Sequence, residues 1–135
     1  MVGYHSRAVS RTRTDVTTER PEEVLRRLRT IALSFPETSE ASSWGHPNFR
    51  AGKRTFATYE RVGGRPSIAF RLNGADIKPL LRRPHFFTTP YGRGLWVSVW
   101  ADGPLSWRVM ADLLERAYRL VALKRMITAL EAGSD

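Results

Sequence analysis

The chain has 135 residues, the size of a single domain, with 41% hydrophobic and 26% charged residues; that is enough apolar material for a core and is the signature of neither disorder nor a fibre. No apolar run reaches the roughly 18 residues of a spanning helix, cysteine is absent, and the N-terminus carries no apolar leader segment. No membrane partner, disulfide, thiolate chemistry or secretory export is therefore expected, and a cytoplasmic protein is. The net charge of +9 is unevenly spread: residues 61–100 hold Arg61, Arg65, Arg71, Lys78, Arg82, Arg83 and Arg93 against Asp76 alone. A local positive field of this kind attracts polyanions, although a bias toward Arg over Lys across a whole genome would leave the same trace.

Residues 1–18, where Ser and Thr interleave with Arg7, Arg11 and Arg13, read as a flexible basic tail, and residues 19–130 as one domain. Val24, Leu28, Ile31 and Phe35 recur at helical spacing, with Thr18 as the expected N-cap, Glu22 and Glu23 near the positive end of the dipole, and Pro36 closing the element. A polar link follows over residues 37–43. Period two then takes over, with strands expected at 47–50, 55–59 and 67–72, separated by turns at Ala51-Gly52 and Gly63-Gly64. Ile68, Phe70 and Leu72 alternate against Ser67, Ala69 and Arg71, an antiparallel meander with one buried face. A short helix begins between Asn73 and Asp76, holds Pro79 near its first turn and ends by Pro84. Strands at 86–89 and 95–100 flank the turn Pro90-Tyr91-Gly92-Arg93-Gly94. Ser106 then caps a helix carrying Trp107, Met110, Leu114, Ala117 and Val121 on one face; its continuation to Leu130 is open. The order α-β-β-β-α-β-β-α predicts an α+β fold, a two-layer α/β sandwich on a five-stranded antiparallel sheet.

Catalytic signatures are missing. His5, His46 and His85 have no partner at the spacing of a helical metal site, Ser42 and Ser43 lie outside any nucleophile elbow, and Gly92-Arg93-Gly94 leads into a strand instead of a helix N-terminus. No enzyme, metal or cofactor is expected. What stands out is basic residues beside turns: Arg50, Lys53 and Arg54 at the first hairpin, Arg61 and Arg65 at the second, and Arg93 in the later turn. Side chains at hairpin tips reach phosphates without desolvating a core, yet charged turns are also simply soluble turns. Trp44, His46 and Tyr91 are the candidates for a pocket, Trp44 and Tyr91 because aromatic rings beside cations can stack bases.

The segments Ala32-Leu33-Ser34-Phe35-Pro36-Glu37, Trp44-Gly45-His46-Pro47-Asn48-Phe49-Arg50, Gly52-Lys53-Arg54-Thr55-Phe56-Ala57, Pro90-Tyr91-Gly92, Gly94-Leu95-Trp96-Val97, Leu105-Ser106-Trp107 and Ala117-Tyr118-Arg119-Leu120-Val121-Ala122, in this order, resemble the MmcQ/YjbR family of small bacterial proteins. Ser106 stands where that family often has an acidic cap. The resemblance implies an antiparallel α/β domain similar to type III secretion chaperones, and a DNA-binding protein with two wing-like hairpins, carried here onto Arg50, Lys53 and Arg54 and onto Arg61, Arg65 and Arg93. The resulting expectation is a non-enzymatic DNA-binding protein making phosphate contacts. The alternative is a protein-interaction or chaperone-like domain, using an exposed sheet face or helix for a client or a homodimer.

Overall fold

The structure, a computed structural model, describes residues 15–133. Residues 1–14, with His5 and most of the expected tail, lie outside the described residues. The end of that tail is not free of structure: β1 (Val16–Thr17) pairs antiparallel with β8 (Leu105–Ser106).

Helix α1 (Pro21–Ala32) starts later than expected. Its N-cap is Arg20 in extended conformation with no side-chain cap, and Pro21 at the first position needs no donor there. Phe35 falls beyond the helix but still packs on the core, between Phe56 and Tyr118 with ring centroids 6.3 and 4.9 Å away.

The expected polar link is a strand. β2 (Thr38–Ser43) pairs with β3 (His46–Ala51) over its whole length, so the main sheet has six strands and not five, in the order β2-β3-β4-β5-β7-β6. β4 (Arg54–Val62) and β5 (Arg65–Arg71) form its centre, and β7 (Trp96–Trp100) brings in β6 (Phe86–Thr88) at the far edge. Helix α2 (Gly74–Leu80) is capped by Asn73, whose Oδ1 accepts from the Asp76 amide at 2.9 Å. Pro79 sits in its last turn and not its first. In a helix of seven residues the backbone bond that proline forfeits is one of very few.

Helix α3 (Trp107–Val121) is capped by Ser106, as the sequence predicts, and packs across β4 and β5; α1 packs on α3. The chain breaks at Ala122 in extended conformation and restarts as α4 (Lys124–Gly133), which buries Met126. The core lies between these helices and one sheet face: Phe49, Phe56, Ile68, Phe70, Val97 and Val99 meet Leu28, Leu114 and Tyr118.

A bulge sets the two faces. Phe49 pairs with Ala57 and Arg50 with Thr55, so Phe56 is an extra residue on β4. Phe56 and Ala57 are both fully buried, and beyond the bulge Thr55 joins Arg50, Asn48, Thr58 and Glu60 around one cleft. That second face is not simply solvent-exposed either. Asn48, Thr58, Glu60, Ser67, Thr89 and Ser98, the buried polar residues among those described, all belong to it or to the segment that folds over it.

Candidate functional site

The second sheet face carries an open cleft of about 330 Å³, lined by His46, Asn48 and Arg50 from β3 and by Thr55, Thr58 and Glu60 from β4. Trp44 forms its lip, and Tyr91 and Trp96 its opposite wall. Strand alternation explains why these side chains share it: His46, Asn48 and Arg50 are two residues apart, as are Thr58 and Glu60.

Glu60 lines the cleft and is buried, at 6% exposure. The Tyr91 hydroxyl donates to its Oε2 at 2.6 Å, while His46 Nε2 stands 3.7 Å from Oε1, too far for a hydrogen bond. Burial first, and then the bond to Glu60, push the Tyr91 phenol well above its ordinary value, so it stays protonated as a donor. Neither His46 Nδ1 nor Arg50 Nε finds a hydrogen-bond partner among the described residues, although both are shielded from solvent. Atoms left in this way are uncommon in cores, and Thr17, Thr58, Tyr59 and Ser67 each carry another.

The wall and the lip depend on unusual backbone. Gly92 has φ +84°, and a Cβ there would lie 2.4 Å from Trp96 Cδ1, so only glycine lets the turn settle on that ring. Tyr91 rests beside Trp96 with centroids 6.3 Å apart. At the lip, Trp44 and Gly45 are the central pair of the β2–β3 hairpin and both have positive φ, 55° and 82°. A tryptophan is an uncommon choice for that left-handed position, and this one is 95% exposed.

The three pocket residues read from the sequence, Trp44, His46 and Tyr91, are thus brought together in one cleft. The six basic residues are not brought together. Arg54 and Arg61 lie at opposite ends of β4, about 20 Å apart along the strand. Arg50, Lys53 and Arg54 occupy one end, and Arg93 joins them, since its turn enters β7 at Trp96 opposite Arg71. Arg61 and Arg65 occupy the other end. There the Arg65 guanidinium binds both oxygens of Asp102 at 2.8 and 2.9 Å and lies 4.0 Å over the Trp100 ring, while Arg61 donates to the Gly64 carbonyl at 2.8 Å.

Sequence reasoning missed Glu60 and Asn48. Glu60 precedes the Gly63-Gly64 turn and reads as a soluble flank; only its phase with Thr58 hints that it faces inward. Among the described residues no group of three or more His, Asp or Glu side chains gathers as a metal site, and no helix is long and apolar enough to cross a membrane.

Fold and site together define a small α+β protein: a six-stranded antiparallel sheet packed with helices, and a polar cleft opening beside a basic end. The YjbR family model matches residues 33–120, more than half of the chain, and the chain belongs to the YjbR family. Among solved structures it is similar to a protein from Pseudomonas syringae, at 13% identity and a TM-score of 0.62, covering 76% of this chain and 98% of that one. It is also similar to a Deinococcus radiodurans protein described as a DUF419 domain, at 18% identity and a TM-score of 0.63, covering 77% and 85%. These likenesses bear on the fold alone. No curated protein matches the chain.

Proposed function

We propose that this is a non-enzymatic DNA-binding protein that contacts phosphates from one end of its sheet, through Arg50, Lys53, Arg54 and Arg93. The supporting observation is the distribution of ion pairs. Arginines within the helices are matched by carboxylates, among them Arg29 by Glu40, Arg116 by Asp76 and Asp112, Arg119 by Glu115 and Glu131, and Arg125 by Glu37, whereas Arg20, Arg82 and Arg83 at helix ends have no such partner among the described residues. Lys53, Arg54 and Arg93 are exposed and have no carboxylate within salt-bridge distance among the described residues. Unmatched cations on a hairpin tip keep their field for an external polyanion. The second wing is a weaker candidate, because Arg65 is already neutralised by Asp102.

Titrating a short DNA with the protein at several salt concentrations tests the reading. Counterion release gives log K a linear fall with log salt, with a slope of about −0.9 per phosphate contacted. Lys53→Ala with Arg54→Ala is expected to reduce that slope by roughly 2, whereas Arg61→Ala leaves it unchanged. Absence of binding at low salt overturns the reading. It would favour the protein-interaction alternative, for which β2 offers an outer edge that no strand of the sheet pairs with.

A further inference from the structure

The cleft beside the basic end has a donor and acceptor pattern of which the phosphate reading uses Arg50 alone. An ionised Glu60 offers acceptors only, and its Oε1 makes no hydrogen bond among the described residues. Asn48, equally buried at 6% exposure, makes no side-chain hydrogen bond among the described residues and offers both a donor and an acceptor. The Arg50 guanidinium closes the far end of the same floor with donors alone. A purely anionic ligand would meet Glu60 unfavourably, and a purely cationic one would meet Arg50 unfavourably. The floor instead matches a flat solute with an amino group on one side and ring or carbonyl acceptors on the other. The walls match a flat solute as well, since Tyr91 and Trp96 stand across the cleft from the residues of β3 and β4, and Trp44 is held out in water at the lip on a left-handed backbone. The volume, about 330 Å³, suits one ring system and not a polymer.

We propose that the cleft takes a single unpaired nucleobase bearing an exocyclic amino group, with the amino edge on Glu60, the acceptor edge on Asn48 and Arg50, and the ring beside Tyr91 and Trp44. Arg50 is the link to the basic end: it lines the cleft and pairs across the strands with Thr55, next to Arg54. A base with its amino edge on Glu60 and its acceptor edge reaching Arg50 turns its sugar and phosphate toward the end of β4 where Lys53 and Arg54 project. In this form the inference rests on the DNA-binding reading. The same chemistry could be delivered by a free nucleotide or by an unstacked base in a strand, and the two sources are separable.

The test follows tryptophan emission while the protein is titrated with CMP, GMP and UMP, then with single-stranded oligo-dC and oligo-dT of equal length, then with a fully paired duplex. The expected result is about tenfold tighter binding of oligo-dC than oligo-dT, one well-made base contact. Glu60→Gln abolishes that preference without weakening oligo-dT, and Lys53→Ala with Arg54→Ala weakens both strands alike. Trp44→Ala, a change at a solvent-exposed side chain, weakens both strands by about tenfold with the fold retained by circular dichroism. Equal binding of oligo-dC and oligo-dT by the unaltered protein, with no response to any nucleotide, overturns the base site and leaves phosphate binding standing. Response to CMP and GMP without binding of either strand or duplex keeps the base site, assigns it to free nucleotides and overturns the DNA reading. No response to any of these ligands overturns both.

Discussion

At position 92 a hydrogen atom does what no side chain could. The Trp96 ring occupies the space a Cβ would need, and the backbone is left-handed besides. Gly92→Ala is therefore expected to cost about 1–3 kcal/mol, part steric and part conformational, as read by chemical denaturation. Because Trp96 and the neighbouring Tyr91 form one wall of the cleft, the same change should also shift the emission of Trp96. A substitution at Gly103, where an added Cβ meets nothing within 4 Å and φ is ordinary, provides the contrast. Trp44 and Glu60 make a complementary pair at this scale. One is a large apolar side chain left in water, the other a carboxylate taken out of it, and both departures from the usual partition fall on the same cleft.

Single elements depend on their ends. The Ser106 hydroxyl accepts from the Val109 amide at 3.3 Å and also bonds Asp15, so one side chain both caps α3 and ties β1 to β8. Ser106→Ala should lower stability by about 1 kcal/mol, measured as a shift in denaturation midpoint with unchanged slope. That cap, the helical stripes and the glycines of the turns at Ala51-Gly52 and Gly63-Gly64 were legible in the sequence because each is a local device. β2 was not legible. Thr38-Ser39-Glu40-Ala41-Ser42-Ser43 has no apolar alternation, and it is a strand because β3 supplies hydrogen-bonding partners along its length and Arg29 on α1 holds Glu40 at 2.7 and 2.9 Å. Nor could alternation on β4 be read straight through, since the extra Phe56 shifts its phase midway. Of the cleft, Trp44, His46 and Tyr91 stood out as chemistry-bearing types. Glu60 acquires its meaning only from Tyr91, thirty-one residues further along the chain.

Over the whole molecule, and among the described residues, the arginines within helices are matched to carboxylates, while the sheet's basic end, and Arg20, Arg82 and Arg83 at helix ends, are not. The matched pairs make a statement about acid. Hydrogen bonds from Arg26, Arg125 and Arg65 hold Glu23, Glu37 and Asp102 below their ordinary values of 4.5, 4.5 and 3.8. Carboxylates depressed in the folded state contribute stability that is fully present above those ordinary values and is lost as pH falls through the lower folded ones. The denaturation midpoint should therefore decline below about pH 4, and less steeply once Arg65→Ala and Arg125→Ala have removed two of the partners. All three pairs are solvent-exposed, so the decline is shallow and flattens further in high salt.

One of these pairs also braces the basic end. Glu37, bound through its side chain to Arg125 on α4, accepts the Gly52 amide on its own carbonyl at 3.0 Å, and the site of a Gly52 Cβ lies 2.9 Å from Met126 Cε on the same helix. The loop bearing Lys53 and Arg54 is thus anchored to the C-terminal helix instead of swinging free. Its main chain has already given up its disorder before any partner arrives, and association need restrain only the two side chains.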